Sequence, residues 1–543
     1  MKKLQLILLL AVTVTIKAQD FGSFSGGFVS NTQLYQDDDK TNSIAPQDKF
    51  RANSYFNLNY NYKAFTVGMQ YESYNPNALL GYSPVLKGEG IATYFFNYKA
   101  HDLDITAGYF YEQYGSGMIL RSWEDKQLGV NNALKGIRIK FDATKCLQLS
   151  AFYGKQRNGF ELSNGSLHGA NLELDLASLA KLTDSSVNLG FSYVGRYEEH
   201  ANPNPDFPDV VGAVSARLDF NKGAFSSKVE LVSKAADARV FSGTIFNTEF
   251  YKGKGLLFEM GYSKRSFGAT ATFRRVENLN MYTDRLAYGN AYNSLVVNNV
   301  LALTRQHDFS LPNIYTYQAQ AGLSFLDEKA GEIGYQVDAY YNIGGYSFLK
   351  GTHVTLNYSN WNGLKTTFDQ ANETYTTDGY AFGENYFKDF NIELDKKISK
   401  KINASLGYIN LFYNKGKLEG GYGTVKANII TSEVNFKLKN KKAARIELQH
   451  LSTKDDKKNW MAGTVEYNFN RKFSMYFNDM YNYGNADPAK QLHYFSVGAV
   501  YAKNATRFAL GYGRQRGGLI CVGGVCRYVP ENTGLSMSIT TTF

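Results

Sequence analysis

The sequence predicts an all-β protein that folds as a transmembrane antiparallel up-and-down β-barrel of about 24 strands, and three observations support this fold class. Aromatic residues make up 15% of the 543 residues, whereas prolines number 9 and glycines 50. Apolar and polar side chains alternate with a period of two along many segments, and the chain ends on such a segment. This composition is typical of strands and turns, while a disordered chain would be poor in aromatic residues.

The first residues have the pattern of an export signal. Lys2 and Lys3 precede an apolar run that extends to about Ile16, and Ala18 is followed by the polar Gln19. We therefore expect residues 1–18 to be a signal peptide and residues 19–543 to form a single β-barrel domain. After Ala18, no stretch approaches the roughly 18 consecutive apolar residues that a membrane helix needs. An exported chain of this kind is either soluble or spans a membrane as a closed barrel.

The alternating segments favour the barrel over a soluble sandwich. In residues 56–62, Phe56, Leu58, Tyr60 and Tyr62 alternate with asparagines. The same period occurs in segments 65–72, 103–111, 137–141, 147–153, 256–262, 267–273, 434–438 and 465–469. Tyrosine and phenylalanine recur at the ends of these apolar stripes, as in the aromatic girdles of outer-membrane barrels. In a soluble sandwich, valine, isoleucine and leucine would dominate the buried face.

The last alternating segment predicts the closing strand. Leu535, Met537 and Ile539 alternate with serine and threonine up to the terminal Phe543. A final strand that ends on phenylalanine is similar to the sorting signal of outer-membrane proteins. We therefore expect Phe543 to be read by the barrel assembly machinery during biogenesis.

Connection lengths predict the orientation and the number of strands. Short turns alternate with longer links, among them 237–253 and 363–386, and eight of the nine prolines lie in the longer links, where a missing backbone N–H is harmless. In this class short turns face the periplasm, so both termini should be periplasmic and the long loops extracellular. If 277–332 is one long loop, the basic turns at 399–401 and 439–442 stay periplasmic and the count is 24. Counts of 22 and 26 are the alternatives.

The other face of each strand should line the lumen. Charged residues of both signs occupy these positions, among them Asp104, Glu112, Arg138, Lys140, Glu259 and Arg274. A barrel wider than a 16- to 18-stranded porin encloses water unless something fills it. The strand pattern begins near Phe21, so we expect no separate plug domain. Any filling would then come from loops or from a partner protein.

Segment 113–133 is the predicted inward loop. It joins an apolar patch to a charged cluster around a tryptophan, consisting of Arg121, Trp123, Glu124, Asp125 and Lys126. Folded into the lumen, it would form a pore constriction in which Arg121 and Lys126 face Glu124 and Asp125 and act on a passing solute. The alternative is a surface loop held by its own ion pairs and apolar contacts.

Several motifs resemble an uncharacterised family of Bacteroidota outer-membrane β-barrel proteins, a domain of unknown function. They are GGFVSN at 26–31, GYSP at 81–84, GYFYEQYGSG at 108–117, LRSWED at 120–125 and CVGGVCRYVP at 521–530. The resemblance extends along nearly all of the expected mature chain, and 321–331 departs from it as an insertion. It implies an outer-membrane location and a barrel, and it supplies no activity and no catalytic residue.

Two of the three cysteines, Cys521 and Cys526, flank a Gly-Gly pair. A two-residue turn at these glycines would place Val522 opposite Val525 and bring the two cysteines together on the next pair of the hairpin. We therefore expect a disulfide there, with free thiols as the alternative. Cys146 has no partner in the sequence.

No enzyme is expected from this sequence. Its seven histidines are scattered, and it has no His-Glu-x-x-His motif, no Gly-x-Ser-x-Gly motif and no Cys/His metal spacing. We therefore expect no catalytic residues, no metal and no cofactor. Lysine-rich periplasmic turns such as 439–442 suit anionic lipid head groups better than nucleic acid. The expected partners are thus outer-membrane lipid and lipopolysaccharide.

Two functions fit these observations. The first is an outer-membrane passive or gated pore, a porin-like transport channel for small polar solutes. The second is a non-conducting structural or accessory barrel that binds an envelope protein partner in an assembly, secretion or surface-protein complex. A wide barrel without a plug domain favours the pore. The large number of loop residues leaves the scaffold as the alternative.

Overall fold

A computed structural model describes residues 21–543 with the exception of 202–203, 242, 346–347 and 523–524. The side chains of 241, 247 and 520–522 lie outside the described part as well. The predicted signal peptide, 1–18, lies outside the described residues. Twenty-four strands form one sheet in which each strand pairs antiparallel with its neighbours. Because the first strand, Ser23–Gln36, also pairs with the last, Asn532–Thr542, the sheet closes into a barrel. The predicted closed antiparallel barrel of 24 strands is therefore confirmed, while the absence of a plug domain stays a prediction.

The strands of the barrel follow one another around the wall in chain order. They are β1 (Ser23–Gln36), β2 (Phe50–Tyr62), β3 (Phe65–Tyr74), β4 (Gly88–Ala100), β5 (Leu103–Phe110), β10 (Leu134–Thr144), β11 (Leu147–Asn158), β12 (Glu161–Asp175), β13 (Ser185–Tyr197), β14 (Val210–Lys222), β15 (Phe225–Phe241), β16 (Thr244–Lys264), β17 (Phe267–Glu277), β18 (Gly331–Asn342), β19 (Thr352–Asp369), β20 (Thr374–Lys397), β21 (Ile402–Tyr413), β22 (Val425–Lys437), β23 (Ala443–Ser452), β24 (Trp460–Asn468), β25 (Phe473–Tyr481), β26 (His493–Lys503), β27 (Thr506–Gln515) and β30 (Asn532–Thr542).

Short elements occupy the connections. Three two-stranded pairs are formed by β6 (Gln113–Tyr114) with β7 (Leu120–Arg121), β8 (Glu124–Asp125) with β9 (Val130–Asn131), and β28 (Gly518–Val522) with β29 (Val525–Val529). Short α-helices lie at Leu176–Leu179 and Lys415–Glu419, and 3-10 helices at Tyr288–Tyr292, Pro312–Tyr315 and Pro488–Lys490. Among the described residues, no helix is both long and apolar enough to cross a membrane.

Alternation along the strands separates an outward face from a lumen face. On β10, the large apolar side chains of Ile137, Ile139 and Phe141 are exposed on the outside. Arg138 and Lys140, which alternate with them, point into the lumen and make ion pairs there. The outward face of the barrel is therefore apolar and uncovered, because each strand keeps the period of two that the sequence shows.

The two ends of the barrel differ in their connections. One end carries the start of β1, the end of β30 and mostly short turns, whereas the other carries the long loops. Segment 278–330 is a single connection between β17 and β18, as predicted. Two predicted links, 237–253 and 363–386, are largely strand instead, because the β15–β16 and β19–β20 hairpins continue well past the rest of the wall.

The buried core lies inside the barrel at the long-loop end. Two loops supply it: the short inward loop (111–133) and the long inward loop (278–330). Their apolar side chains pack against lumen-facing residues of the wall in two large clusters. The lumen at the long-loop end thus contains the chain's own loops.

Candidate functional site

The short inward loop lies against the lumen face of the wall. Met118, Ile119 and Leu120 are almost fully buried in a cluster that includes Phe152 and Val232 of the wall. The backbone N–H of Ser116 donates to the carboxylate of Glu230 on β15 at 2.9 Å. The inward position predicted for this segment therefore agrees with the structure.

Gly115 explains how this loop approaches the wall so closely. Its φ is +54°, and a Cβ there would lie 2.6 Å from Cδ of Arg217 and 2.6 Å from Oε1 of Glu230. Both the backbone conformation and the available space therefore require glycine.

The five predicted constriction residues lie in this loop, but they do not form the expected face-to-face charges. Arg121 stacks on Trp123, with its guanidinium carbon 4.9 Å from the ring centroid, and the Lys126 ammonium lies 5.0 Å from the ring of Tyr55. Glu124 accepts from Gln70 at 2.7 Å, and Asp125 accepts from the backbone N–H of Leu128 at 2.8 Å. These contacts hold the loop in the lumen, and a role as constriction stays a prediction.

The long inward loop starts from an anchor of buried ion pairs. Arg285 donates to Glu198 at 2.8 Å and lies 3.0 Å from Asp237, which also accepts from Arg196 at 2.9 Å. Lys234 donates to the backbone carbonyl of Asn280 at 2.9 Å. Several wall strands therefore hold the beginning of this loop with charge-assisted hydrogen bonds.

The middle of the long inward loop joins the short one. Val297 accepts a backbone hydrogen bond from Arg121 at 2.9 Å, and the Asn298 side chain donates to the carbonyls of Met118 and Leu279 at 2.8 Å. The two loops thus form one body inside the barrel.

Further along, the loop reaches β18 to β23. The indole of Trp361 donates to the carbonyl of Leu303 at 2.9 Å, and Gln449 on β23 accepts from the backbone N–H of Leu311 at 2.9 Å. Between them, a ring nitrogen of His307 lies 3.1 Å from the Asn391 side-chain oxygen. Burial and the nearby Arg305 lower the pKa of His307 to about 4.

The predicted lumen-lining residues all lie on the lumen face. Lys140 and Arg138 approach Glu112 at 3.0 and 3.9 Å, and Arg138 also lies 3.5 Å from Asp104. Arg274 lies apart from this group and pairs with Glu332 at 2.6 Å. The remaining member is Glu259, which lies between Lys228 and Thr272 in the strand register.

The lumen face has two contrasting walls. The anchoring wall, strands β11–β23, carries buried charged and aromatic residues such as Arg196, Arg274 and Trp361 that hold the loops. The small-residue wall, strands β25–β27, β30 and β1, presents mainly serine, glycine and amide side chains toward the loops. Its members include Asn31, Gln33, Asn478, Ser496, Gly498, Gly511, Gly513, Ser536 and Ser538.

A space lined by both polar and apolar residues separates the long inward loop from the small-residue wall. This lumen crevice has a volume of about 410 Å³ and is bordered by Ser310 and Asn313 of the loop and by Gln33, Ser496 and Ser536 of the wall. The guanidinium-bearing Arg516, after β27, also lines it. The loop and the wall both present hydrogen-bonding groups to this space.

The remaining predicted site residues lie at the two ends of the barrel. The β28–β29 register places Cys521 opposite Cys526 and Val522 opposite Val525, as the hairpin geometry predicted. The side chain of Cys521 lies outside the described ones, so the disulfide stays a prediction. Phe543 continues the pairing of β30 with β1 through two 3.0 Å backbone hydrogen bonds to Gly26. Its role in sorting stays a prediction as well.

Sequence reasoning missed the depth to which the long inward loop enters the barrel. A signal was present, because segment 295–317 carries apolar residues such as Leu295, Val297, Leu301 and Leu311 that an exposed loop would not need. Leu295, Val297 and Leu311 are fully buried.

These observations define a class: a closed 24-stranded β-barrel whose lumen is filled from one end by two of its own loops. The chain belongs to the family of unknown function DUF6029, whose family model matches residues 1–543. A comparison with curated proteins finds no match.

Among solved structures, the chain is similar to the siderophore receptor PirA from Pseudomonas aeruginosa, at 9% identity and a TM-score of 0.43 over 97% of this chain and 81% of that one. It is similar to the outer membrane protein opdK from Pseudomonas aeruginosa at 10% identity and 0.38, over 76% and 98%. A BenF-like porin from Pseudomonas fluorescens Pf-5 matches at 8% identity and 0.36, over 96% and 99%. Likeness at this level carries no argument about function.

Proposed function

We propose that the protein is an integral outer-membrane barrel that acts as a gated pore for small polar solutes, with the lumen crevice as its passage. Its uncovered outward face supports membrane insertion. Large apolar side chains such as Ile139, Phe191 and Leu231 are exposed around the wall. Contact of so much apolar surface with water is unfavourable, whereas the acyl chains of a membrane would cover it. We further propose the orientation typical of this class, in which the short turns and both termini face the periplasm.

The lumen crevice is the observation that most directly supports a pore. The two inward loops fill the lumen beside the anchoring wall, while serine, glycine and amide side chains, together with Met480 and Tyr494, line the space beside the small-residue wall. Small polar groups of this kind suit a solute that exchanges hydrogen bonds as it passes. Because the loops are bound mainly to the opposite side, displacing them would widen the same space.

The filled lumen also favours the second candidate, a non-conducting scaffold barrel. In that case the loop body would be a permanent closure, and the long-loop end would bind an envelope partner. The two candidates differ in one measurable property, which is ion current through the reconstituted barrel.

Single-channel recording on the purified protein in planar bilayers tests the proposal. We expect discrete current steps, and we expect Ser536→Trp to reduce the current severalfold because the indole would occupy the crevice. Ser432→Trp is the matched control, since Ser432 lies beside the exposed Leu406 and Leu448 on the outward face. Electrically silent insertion, or equal currents in wild type and Ser536→Trp, would refute the passage and favour the scaffold.

A further inference from the structure

An oblique apolar groove crosses the outward face of the barrel from β10 to β17. It has a volume of about 1340 Å³. The strand register aligns one row of side chains along it, from Ile139 on β10 past the small Ala151 and Ala170 to Lys254 on β16. A second row, two residues away on each strand, starts at Phe141, is apolar across the six intervening strands and ends at Arg275 on β17. Small residues between bulky ones give the groove its depth.

The groove climbs from one end of the barrel toward the other. At its lower end, Phe141 lies close to the short turn after β10, which ends at Thr144. At its upper end, Glu277 is the last residue of β17 before the long inward loop. Eight strands at about 4.8 Å spacing give a row of about 34 Å, and a tilt of about 40° raises it by roughly 20 Å. The groove therefore runs through most of the height of an apolar band.

The upper end of the groove is polar and carries two cations and one carboxylate. Arg275 pairs with Glu277 at 2.7 Å and donates to the carbonyl of Gly379 at 2.9 Å, so its charge is largely satisfied. Lys254 is exposed and lies opposite Glu277 in the strand register, and its ammonium makes no ion pair with a described residue. The net charge of these three side chains is +1.

The tip of the β19–β20 hairpin covers this polar end from outside. Thr377 donates to Glu277 at 3.3 Å, and Tyr380 borders the groove with 64% of its surface exposed. An exposed tyrosine above an apolar surface is typical of the boundary between acyl chains and head groups.

We propose that this groove is a binding site for a phosphorylated glycolipid of the outer leaflet, with an acyl chain along the apolar part of the two rows and a phosphate on the Lys254 ammonium. The apolar length, the cation at one end and the aromatic residue above it match the three parts of such a lipid. The site is separate from the lumen crevice and goes beyond the proposed pore, although it rests on the proposed membrane insertion and orientation.

Native mass spectrometry of the detergent-solubilised, delipidated protein tests this site. The probes are a lipid A that carries one phosphate and the same glycolipid without the phosphate. We expect the phosphorylated probe to bind the wild type in preference, and Lys254→Glu to lower its affinity about tenfold, because charge reversal replaces attraction by repulsion. Ala170→Trp should lower the binding of both probes, since the indole would fill the groove.

Two matched variants control for general effects. Lys426→Glu changes a lysine that borders a different pocket. Asparagines such as Asn362 and Asn410 line that pocket, so it lacks the apolar rows of the groove. Ala499→Trp changes an outward alanine between the exposed Met475 and Leu510 on the far side of the barrel. Neither should alter binding, and circular dichroism should show the same β content in all variants.

Several outcomes would overturn the proposal. They are equal binding of both probes to the wild type, unchanged affinity in Lys254→Glu and Ala170→Trp, or losses of the same size in the two controls. A dimer that persists after delipidation and dissociates in Ala170→Trp would assign the groove to a second copy instead. Membrane fractionation separates this failure from that of the proposed function: a protein found dissolved without detergent would overturn both, whereas inserted, conducting protein without lipid selectivity would overturn the lipid site alone.

Discussion

The anchoring wall and the small-residue wall belong to one continuous sheet, yet their lumen faces do opposite things. The anchoring wall buries Arg196, Arg274 and Trp361, each of which bonds the long inward loop or one of its anchors. The small-residue wall offers Ser496 and Ser536 across an unfilled space. Identical backbone pairing can thus support a fixed closure on one side and a passage on the other, because only the lumen-facing side chains differ.

Removal of the long inward loop, which closes the lumen beside the anchoring wall, should have the largest effect on the conductance. The backbone N–H of Asn278 donates to the carbonyl of Ala330 at 2.9 Å, so the loop ends are adjacent and residues 279–329 can be replaced by a short glycine-serine turn. We expect the single-channel conductance to rise by about an order of magnitude, since an unfilled barrel of this width holds an aqueous channel.

Replacement of residues 39–42 by the two-residue turn Asn-Gly is the control for shortening a loop at the same end. Asp38 and Ser43 already pair through their backbones, so a two-residue turn can join them without strain on the wall. Its conductance should match that of the wild type. If the 279–329 deletion conducts no more than this control does, the long inward loop is not the closure.

Breaking one anchor should destabilise the protein strongly. Arg274→Met leaves the fully buried Glu332 without its cation, and we expect a loss of about 3–5 kcal/mol in the free energy of unfolding, measured by urea titration of tryptophan fluorescence in micelles. Lys365→Met breaks the exposed pair Lys365–Asp378, so its loss should stay under about 1 kcal/mol. Equal losses would contradict the role of buried charge in the anchoring wall.

Acidification should weaken the closure more gently. The pKa of His307 is lowered to about 4, below the usual 6.5, so the docked loop holds the neutral ring and a displaced loop takes up a proton. Docking is therefore most stable above pH 6.5 and is lost progressively as the pH falls toward 4, with at most about a tenfold rise in open fraction per pH unit. His307→Gln should flatten this pH dependence of the current, and an unchanged profile would assign it to another group.

The barrel could be predicted from the sequence because its signals are local. Each strand alternates within a few residues, as Phe56 to Tyr62 do, and the turn pattern fixes the parity of the count. The Cys521–Cys526 register followed from two glycines for the same reason. Local patterns of this kind need no knowledge of distant contacts.

The lumen could be predicted only in part, because its contacts join residues far apart in the chain. The charged and aromatic residues of 113–133 suggested an inward loop, yet their partners, Tyr55 for Lys126 and Gln70 for Glu124, come from strands at least 50 residues away. The contacts of Leu311 with Gln449 and of His307 with Asn391 leave no periodic trace in the sequence. The lumen crevice is what remains between such contacts, so it has no sequence signal of its own.

Cysteine accessibility in the current-carrying barrel tests the central claim most directly, which is that solute passes along the small-residue wall. In a Cys146→Ser background, Ser536→Cys should react with a negatively charged, water-soluble thiol reagent, and the current should fall by more than half as the adduct fills the crevice. Ser359→Cys, on the anchoring wall where Ser359 is fully buried, should not react. Block at Ser359→Cys together with no effect at Ser536→Cys would contradict the account.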